Sequence, residues 1–547
     1  VATSCFPSPS IEGGLTDLRR RAFLAGGAGA VASISALSGC AHSSPPNSPP
    51  PSDQPLPPGD LDGAVAKLRA QYVAQFDADY VDNVVLPSFL NSIYDGERPV
   101  LPMIDVALTK ENALPYDMWG LLSLSWKPAP QDGVTVFLQG LEKRGPDNRR
   151  KRIYMSAVTP DLYAGMYQAK VVGFFDQLFS PANAAKPLMR IYLDTFWDLY
   201  WDLHLGVKGK DVPDQVRQIG ENFNTVLAYR DPTQKIVYDN YMAVRKNLDF
   251  LKTWIDNRLK DIQSGKTPEP EKTFGWYWIK NGEDSEFFNH KDVVFECFHN
   301  FVAFSQWGNT LYNIMTRLGK DTGDAQTKDW FTKTMAGNFD GPDGSAFTPL
   351  ERFVMELFRT ISPNAGSISA MTETRPPAFE RFGFIVSPHT STSHDPVQWS
   401  NPDDFDPSRY QHAPTSQDID EARIRQMGLA KCPFDLTSFD VKDGRKAAMH
   451  NSGFGTVFAV ADDRPLPVCD YAGFAPFGFG YRRCPGEQLT IMAFEDLIRK
   501  VAKERLEFVK VAGTDAQKVP LGPSTPEMVP IGPTTVISDD IGFTRPS

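Results

Sequence analysis

The stretch FGFGYRRCPG, running from Phe477 to Gly486, decides the reading of this chain. It presents one cysteine, Cys484, on a glycine-rich turn, with Phe477, Gly480 and Arg482 before it and Gly486 after it. An apolar-periodic run follows at once: Leu489, Ile491, Phe494, Leu497, Ile498 and Val501 are spaced for one face of a helix. The spacing predicts Cys484 at or just before a helix N-terminus, where unpaired amides and the helix dipole favour a thiolate. A thiolate held on a rigid turn is a metal ligand.

The residues match F-x-x-G-x-R-x-C-x-G without a mismatch, and in this they resemble the cytochrome P-450 superfamily. The resemblance implies that Cys484 is the proximal ligand of a haem iron, in haem b (iron protoporphyrin IX). It implies that Phe477 packs beside the sulfur and that Arg482 pairs with a haem propionate. Gly480 and Gly486 would let backbone amides approach sulfur and porphyrin closely. A lone C-x-G would mark only a buried structural cysteine; the full pattern carries more.

Two further motifs stand upstream in the order that family has them. Glu356-Leu357-Phe358-Arg359 is E-x-x-R in an apolar stretch, so Glu356 and Arg359 lie one turn apart on a helix. The segment HDPVQWSNPDDFDPSRY (His394 to Tyr410) resembles the family's meander, where an arginine after a proline completes a Glu–Arg–Arg cluster. The resemblance assigns Glu356, Arg359 and Arg409 to a structural triad. It also implies a mainly α fold with a small β-rich lobe.

The other end of the chain reads as an address. Arg19-Arg20-Arg21-Ala22-Phe23-Leu24 precedes a Gly/Ala-rich apolar run that ends in Leu37-Ser38-Gly39-Cys40. This looks like a bacterial twin-arginine export signal over residues 1–40, with a lipobox that would lipidate Cys40. The alternative is a single membrane anchor, for which the run is marginal. Residues 41–60 form a Pro/Ser-rich linker. Residues 61–547 are expected to be one haem-thiolate catalytic domain. The expected location is periplasmic or cell-surface, with a lipid anchor at Cys40. A net charge of −11 argues against nucleic acid as a partner.

The distal helix, the one crossing over a haem in this family, is expected as one element starting near Asn289. Asp292 would be its capping-box partner and Gly319 its end. The family's A-G-x-D-T pattern is not found there. One alignment puts Ala303 at the small-residue position, Gln306 where the acid belongs and Trp307 where the threonine belongs. A second sets Asn309-Thr310 against the acid–threonine pair. In the first, Asn300 resembles the asparagine of enzymes that rearrange fatty-acid hydroperoxides. Asn300 and Gln306 are therefore the candidate catalytic residues, since an amide orients a peroxide without delivering a proton as an acid does.

These readings give a haem-thiolate oxidoreductase for a hydrophobic, lipid-like substrate, using peroxide or rearranging a substrate hydroperoxide. A conventional monooxygenase with O2 and an external electron donor is the alternative, as is a non-catalytic haem-binding lipoprotein. Smaller expectations accompany them. Asp194, Asp198 and Asp202 share one helix face, read as solvated rather than metal-binding, while Trp197 and Trp201 would border a substrate channel. Cys432 and Cys469 are either a disulfide or two thiols, and Cys297 is core. The tail VPIGPTTVISDDIGFTRP suggests a β-hairpin.

Overall fold

In the computed structural model of the chain, the residues described are 61–81, 85, 113–115, 149–228, 233–282, 284–285, 288–345, 347–361, 367–371, 384–387, 393–394, 396, 399–411, 438–448, 457–461, 464–468, 474, 476–477, 484–512, 528–532 and 535–546. The export signal, Cys40, the linker, Cys432 and Cys469 lie outside them.

Helices dominate the described residues. The principal ones are α1 (Leu61–Val73), α2 (Arg149–Met155), α3 (Gln168–Leu178), α4 (Leu188–Leu205), α5 (Asp214–Ala228), α6 (Lys235–Gln263), α7 (Phe274–Gly282), α8 (His290–His299), α9 (Phe301–Leu318), α10 (Ala325–Ala336), α11 (Pro349–Ile361) and α12 (Glu487–Glu504). The strands are short and antiparallel. Ala113–Pro115, Ser367–Met371 and Phe384–Ser387 make one three-stranded sheet, and the rest pair in twos.

The helix α4 shows how the sequence builds the core. Its carboxylates and aromatics alternate at helical spacing, so Tyr192, Phe196, Tyr200 and Leu203 are buried. Trp197 and Trp201 are buried as well, at 1% and 0% exposure. They therefore pack in the core and do not border a channel. The reason lies on neighbouring elements. Gly220 of α5 offers bare backbone to the Trp197 indole, and a Cβ there would fall 2.3 Å from Trp197 Cζ2. Trp201 packs edge-on against Trp254 and Phe301, with centroids 4.7 and 5.5 Å apart. On the opposite face Asp198 meets Arg217 at 2.5 Å and Asp202 meets Lys170 at 2.9 Å. Burial raises the Asp194 carboxyl pKa. Two of the three carboxylates are thus separately matched, and no metal-binding group of three or more exists among the described residues.

Both ends of α4 are held by the fold. Gly206 closes its C-terminus with φ +69°, the left-handed conformation that glycine adopts without penalty. At the N-terminus Pro187 supplies no side-chain cap. Asp539, from the far end of the chain, does so: its carboxylate accepts from the backbone N–H of Met189 at 2.9 Å and of Arg190 at 2.8 Å. The tail forms the expected hairpin, Met528–Gly532 with Thr535–Ser538. Ile541–Thr544 then leaves it to pair with Glu507–Lys510. Strand Met528–Gly532 packs on α9 and α5. Among the described residues no helix is long and apolar enough to cross a membrane.

The distal element begins as expected. Asn289 Oδ1 accepts from the N–H of Lys291 and Asp292, and Asp292 Oδ2 accepts from the N–H of Asn289. It ends at Gly319. It is not one helix, however. The run breaks at Asn300 (φ −64°, ψ −4°), which closes α8 and opens α9.

Candidate functional site: a cysteine loop between two buried polar networks

Cys484 lies three residues before α12, at that helix's N-terminus, as the periodicity predicts. Its backbone N–H donates to the carbonyl of Phe477 at 2.9 Å, which closes the loop. The residue is half-buried and its sulfur is in no disulfide. A methyl added at Gly486 would sit 3.7 Å from Cys484 Sγ, an ordinary contact, and Gly486 has φ −86°. Clearance of the sulfur therefore does not require this glycine. Gly480 and Arg482 lie outside the described residues.

Aromatic rings fasten the loop to the helices behind it. Phe477 packs on Phe358 of α11, with centroids 5.1 Å apart, and on Phe474 at 6.2 Å. Phe358 packs edge-on against Phe494 of α12. Phe474 meets Tyr410 at 6.2 Å. That last contact joins the loop to the Glu–Arg–Arg cluster.

In the cluster, Glu356 and Arg359 are both fully buried. Arg359 Nε donates to Glu356 Oε2 at 2.8 Å and Nη2 to Oε1 at 2.7 Å, a bidentate pair. Arg409 Nε reaches Oε1 at 3.1 Å. The Asp406 N–H and the Tyr410 hydroxyl add bonds of 2.9 Å each. The outer faces of the two guanidiniums are bonded to carbonyls: Arg359 to Ser393, Pro402 and Asp404, and Arg409 to Ser400, Asn401 and Asp404. Both lie over the Trp399 ring, at 5.3 and 5.9 Å. Burial, then the adjoining Glu356 carboxylate, push the Tyr410 phenol pKa well up, so it keeps its proton and donates. Tyr410 and Trp399 stand in the meander that the sequence singles out, yet their part in the cluster has no local signal.

The distal residues separate into two groups. Trp307 is buried and turned toward α4 and α12: its indole N–H donates to Thr490 Oγ1 at 3.2 Å, and its ring packs on Phe196 and Phe494. Thr310 is 1% exposed, and its hydroxyl donates to the carbonyl of Gln306, one turn back, at 2.9 Å. Gln306 and Asn309 are less buried. Asn309 accepts from Asn313 at 2.8 Å. The Gln306 side chain has no hydrogen-bond partner among the described residues. Of the Ala303 side chain nothing is described. Asn300 is engaged on both atoms, since Tyr154 Oη donates to its Oδ1 at 2.9 Å and its Nδ2 lies 3.1 Å from His204 Nε2. Cys297 is fully buried, and its carbonyl accepts from the Tyr200 hydroxyl at 2.6 Å.

No protein-family model matches the chain, and no curated protein sequence matches it. Solved structures do. The haem domain of a P450DA variant matches with a TM-score of 0.52 and 11% identity, over 88% of this chain and 95% of that one. A zebra fish cytochrome P450 solved with abiraterone matches at 0.51 and 12%, over 84% and 99%. The cyanobacterial CYP120A1 with retinoic acid bound matches at 0.50 and 12%, over 81% and 87%. Cys484 fits the haem ligand that the resemblance of its loop implies: a half-buried thiol at a helix N-terminus is suited to iron as a thiolate. The chain has the cytochrome P450 fold.

Proposed function

We propose that this protein is a haem-thiolate oxidoreductase acting on a hydrophobic, lipid-like substrate, with a peroxide or the substrate's own hydroperoxide as oxidant. The observation that carries the reading is Cys484, presented at the N-terminus of α12 on a loop fastened by Phe477. Phe477, Gly480, Arg482, Cys484 and Gly486 would hold the haem, which when bound supplies the redox chemistry at its iron. The distal helix supports peroxide as the oxidant. Neither alignment pairs an acid with a threonine: in the first Trp307 is turned into the packed core, and in the second Thr310 spends its hydroxyl proton on the Gln306 carbonyl. The first alignment offers two amides instead, Asn300 and Gln306. An amide donates and accepts, and so orients an O–O bond that arrives already made. Two of the similar structures carry elongated apolar ligands, retinoic acid and abiraterone, which is the substrate class proposed for this chain.

Export through the Arg19–Leu24 segment, with lipidation of Cys40, belongs to the same proposal. Nicotinamide-fed reductases would be out of reach there, whereas peroxides would not. Membrane fractionation of wild type and Cys40→Ala tests the anchor: a wild type that is not membrane-bound would defeat it.

The decisive experiment is a carbon monoxide difference spectrum of the purified protein, then incubation with linoleate hydroperoxide, or with fatty acid plus hydrogen peroxide, without any reductase. The thiolate spectrum should appear and Cys484→Ala should abolish it. Product should form without a reductase. Product only with a reductase would make the protein a conventional monooxygenase. Spectral change without substrate consumption would make it a haem-binding lipoprotein.

A further inference from the structure

Two helices send side chains to one amide at the break in the distal element. Tyr154 on α2 donates to Asn300 Oδ1, and His204 Nε2 on α4 faces Asn300 Nδ2. The other imidazole nitrogen, Nδ1, lies 2.8 Å from the backbone carbonyl of Tyr200. A carbonyl only accepts, so Nδ1 carries the proton. Nε2 is then an acceptor and must be met by the NH2 end of the amide. Tyr154 consequently meets the oxygen end. Each assignment forces the next, so one backbone carbonyl on α4 sets the orientation of an amide on another element.

The parts are held tightly enough for this to matter. His204 is 4% exposed and Tyr154 5%. The imidazole stacks on the Tyr200 ring with centroids 4.0 Å apart and meets Phe274 edge-on at 4.9 Å. The Trp278 indole N–H donates to the carbonyl of Tyr154 at 3.0 Å. Burial holds the imidazole neutral, with its pKa lowered to about 3. An amide has two N–H groups and two lone pairs on oxygen. Tyr154 and His204 take one of each, so the plane of the amide is fixed from both ends.

We infer that His204 and Tyr154 are positioning residues for Asn300: together they lock its amide in one orientation at the break between α8 and α9. The inference rests on the reading above, in which Asn300 belongs to the oxidant-facing element. It goes further by naming two residues on other helices that act only through Asn300.

The test uses the haem-loaded protein and the variants Asn300→Ala, His204→Phe, His204→Gln, Tyr154→Phe and the double variant Asn300→Ala/His204→Phe. Histidine-selective 15N spectra of the ferrous carbon monoxide form should show His204 neutral with the proton on Nδ1. Asn300→Ala should then shift its Nε2 resonance. Thermal midpoints should be non-additive, the double variant falling little below the worse single one. With a fatty-acid hydroperoxide, His204→Phe and Tyr154→Phe should lower kcat about three- to tenfold at nearly unchanged KM. His204→Gln, which keeps an acceptor, should recover most of that loss. A His204 proton on Nε2, or additive midpoints, would overturn the inference. If wild type turns over no peroxide, the oxidant reading fails alone, because the tautomer and the midpoint cycle still decide the positioning.

Discussion

The network behind Cys484 and the network at the distal break are both buried and polar, but they are built differently. At Glu356 two guanidiniums, a phenol and a backbone N–H converge on one carboxylate, and the charges sit one helical turn and one meander apart. At Asn300 the groups are neutral and come from residues that lie far apart in the chain. The first tolerates no missing member, because a charge left behind in the core has nothing to replace its partner. The second loses orientation before it loses stability. A fold can therefore use charged clusters to hold a loop rigid, and neutral amide–imidazole–phenol chains to orient a side chain.

The strongest way to break that comparison is Glu356→Ala. It leaves two buried guanidiniums without their carboxylate and should cost about 3–5 kcal/mol, with loss of bound haem, measured by denaturant unfolding and the haem-to-protein absorbance ratio. A loss as small as that of Asn300→Ala would show that the two networks do not differ in kind. Acid tests the distal side. His204 is held neutral in the fold with a pKa of about 3, against about 6.5 in the unfolded chain. Between those values the unfolded state binds a proton that the native state refuses, so stability falls as pH falls. The His204 contribution to the slope should approach about 1.4 kcal/mol per pH unit. It should vanish in His204→Phe, and an unchanged slope in that variant would refute the assignment.

Two smaller changes sharpen the comparison by testing the frame that holds both networks. Gly220→Ala drives a methyl into the Trp197 indole and should cost about 1–3 kcal/mol in unfolding free energy, since a packed core does not yield freely to added volume. Asp539→Ala removes a cap delivered from the far end of the chain. It should cost about 1 kcal/mol, and Asp539→Asn, which keeps only one of the two accepting oxygens, should recover only part of it in thermal melts.

Much of the proximal side was legible in the sequence because it is local. The apolar spacing from Leu489 onward places Cys484 at a helix start, and E-x-x-R places Glu356 and Arg359 on one face. The capping box of Asn289 and Asp292 is local as well. The errors came where neighbours decide. Trp197 and Trp201 resemble channel-lining aromatics until Gly220 and Trp254 close over them. The distal run has helical periodicity throughout, yet it breaks at Asn300, where side chains from α2 and α4 bond its amide. Trp307 occupies a threonine's position in one alignment but is directed by Thr490 and Phe494.

By itself the sequence determined the thiol, the helix it begins, and the carboxylate–guanidinium pair one turn apart, because each is set by covalent spacing and helical period. Only the tertiary structure decided which groups complete them: Tyr410 on Glu356, Asp539 on α4, His204 and Tyr154 on Asn300. Those contacts join segments far apart in the chain. A hydrogen bond is settled by where two folded elements bring donor and acceptor, and no local pattern encodes that meeting.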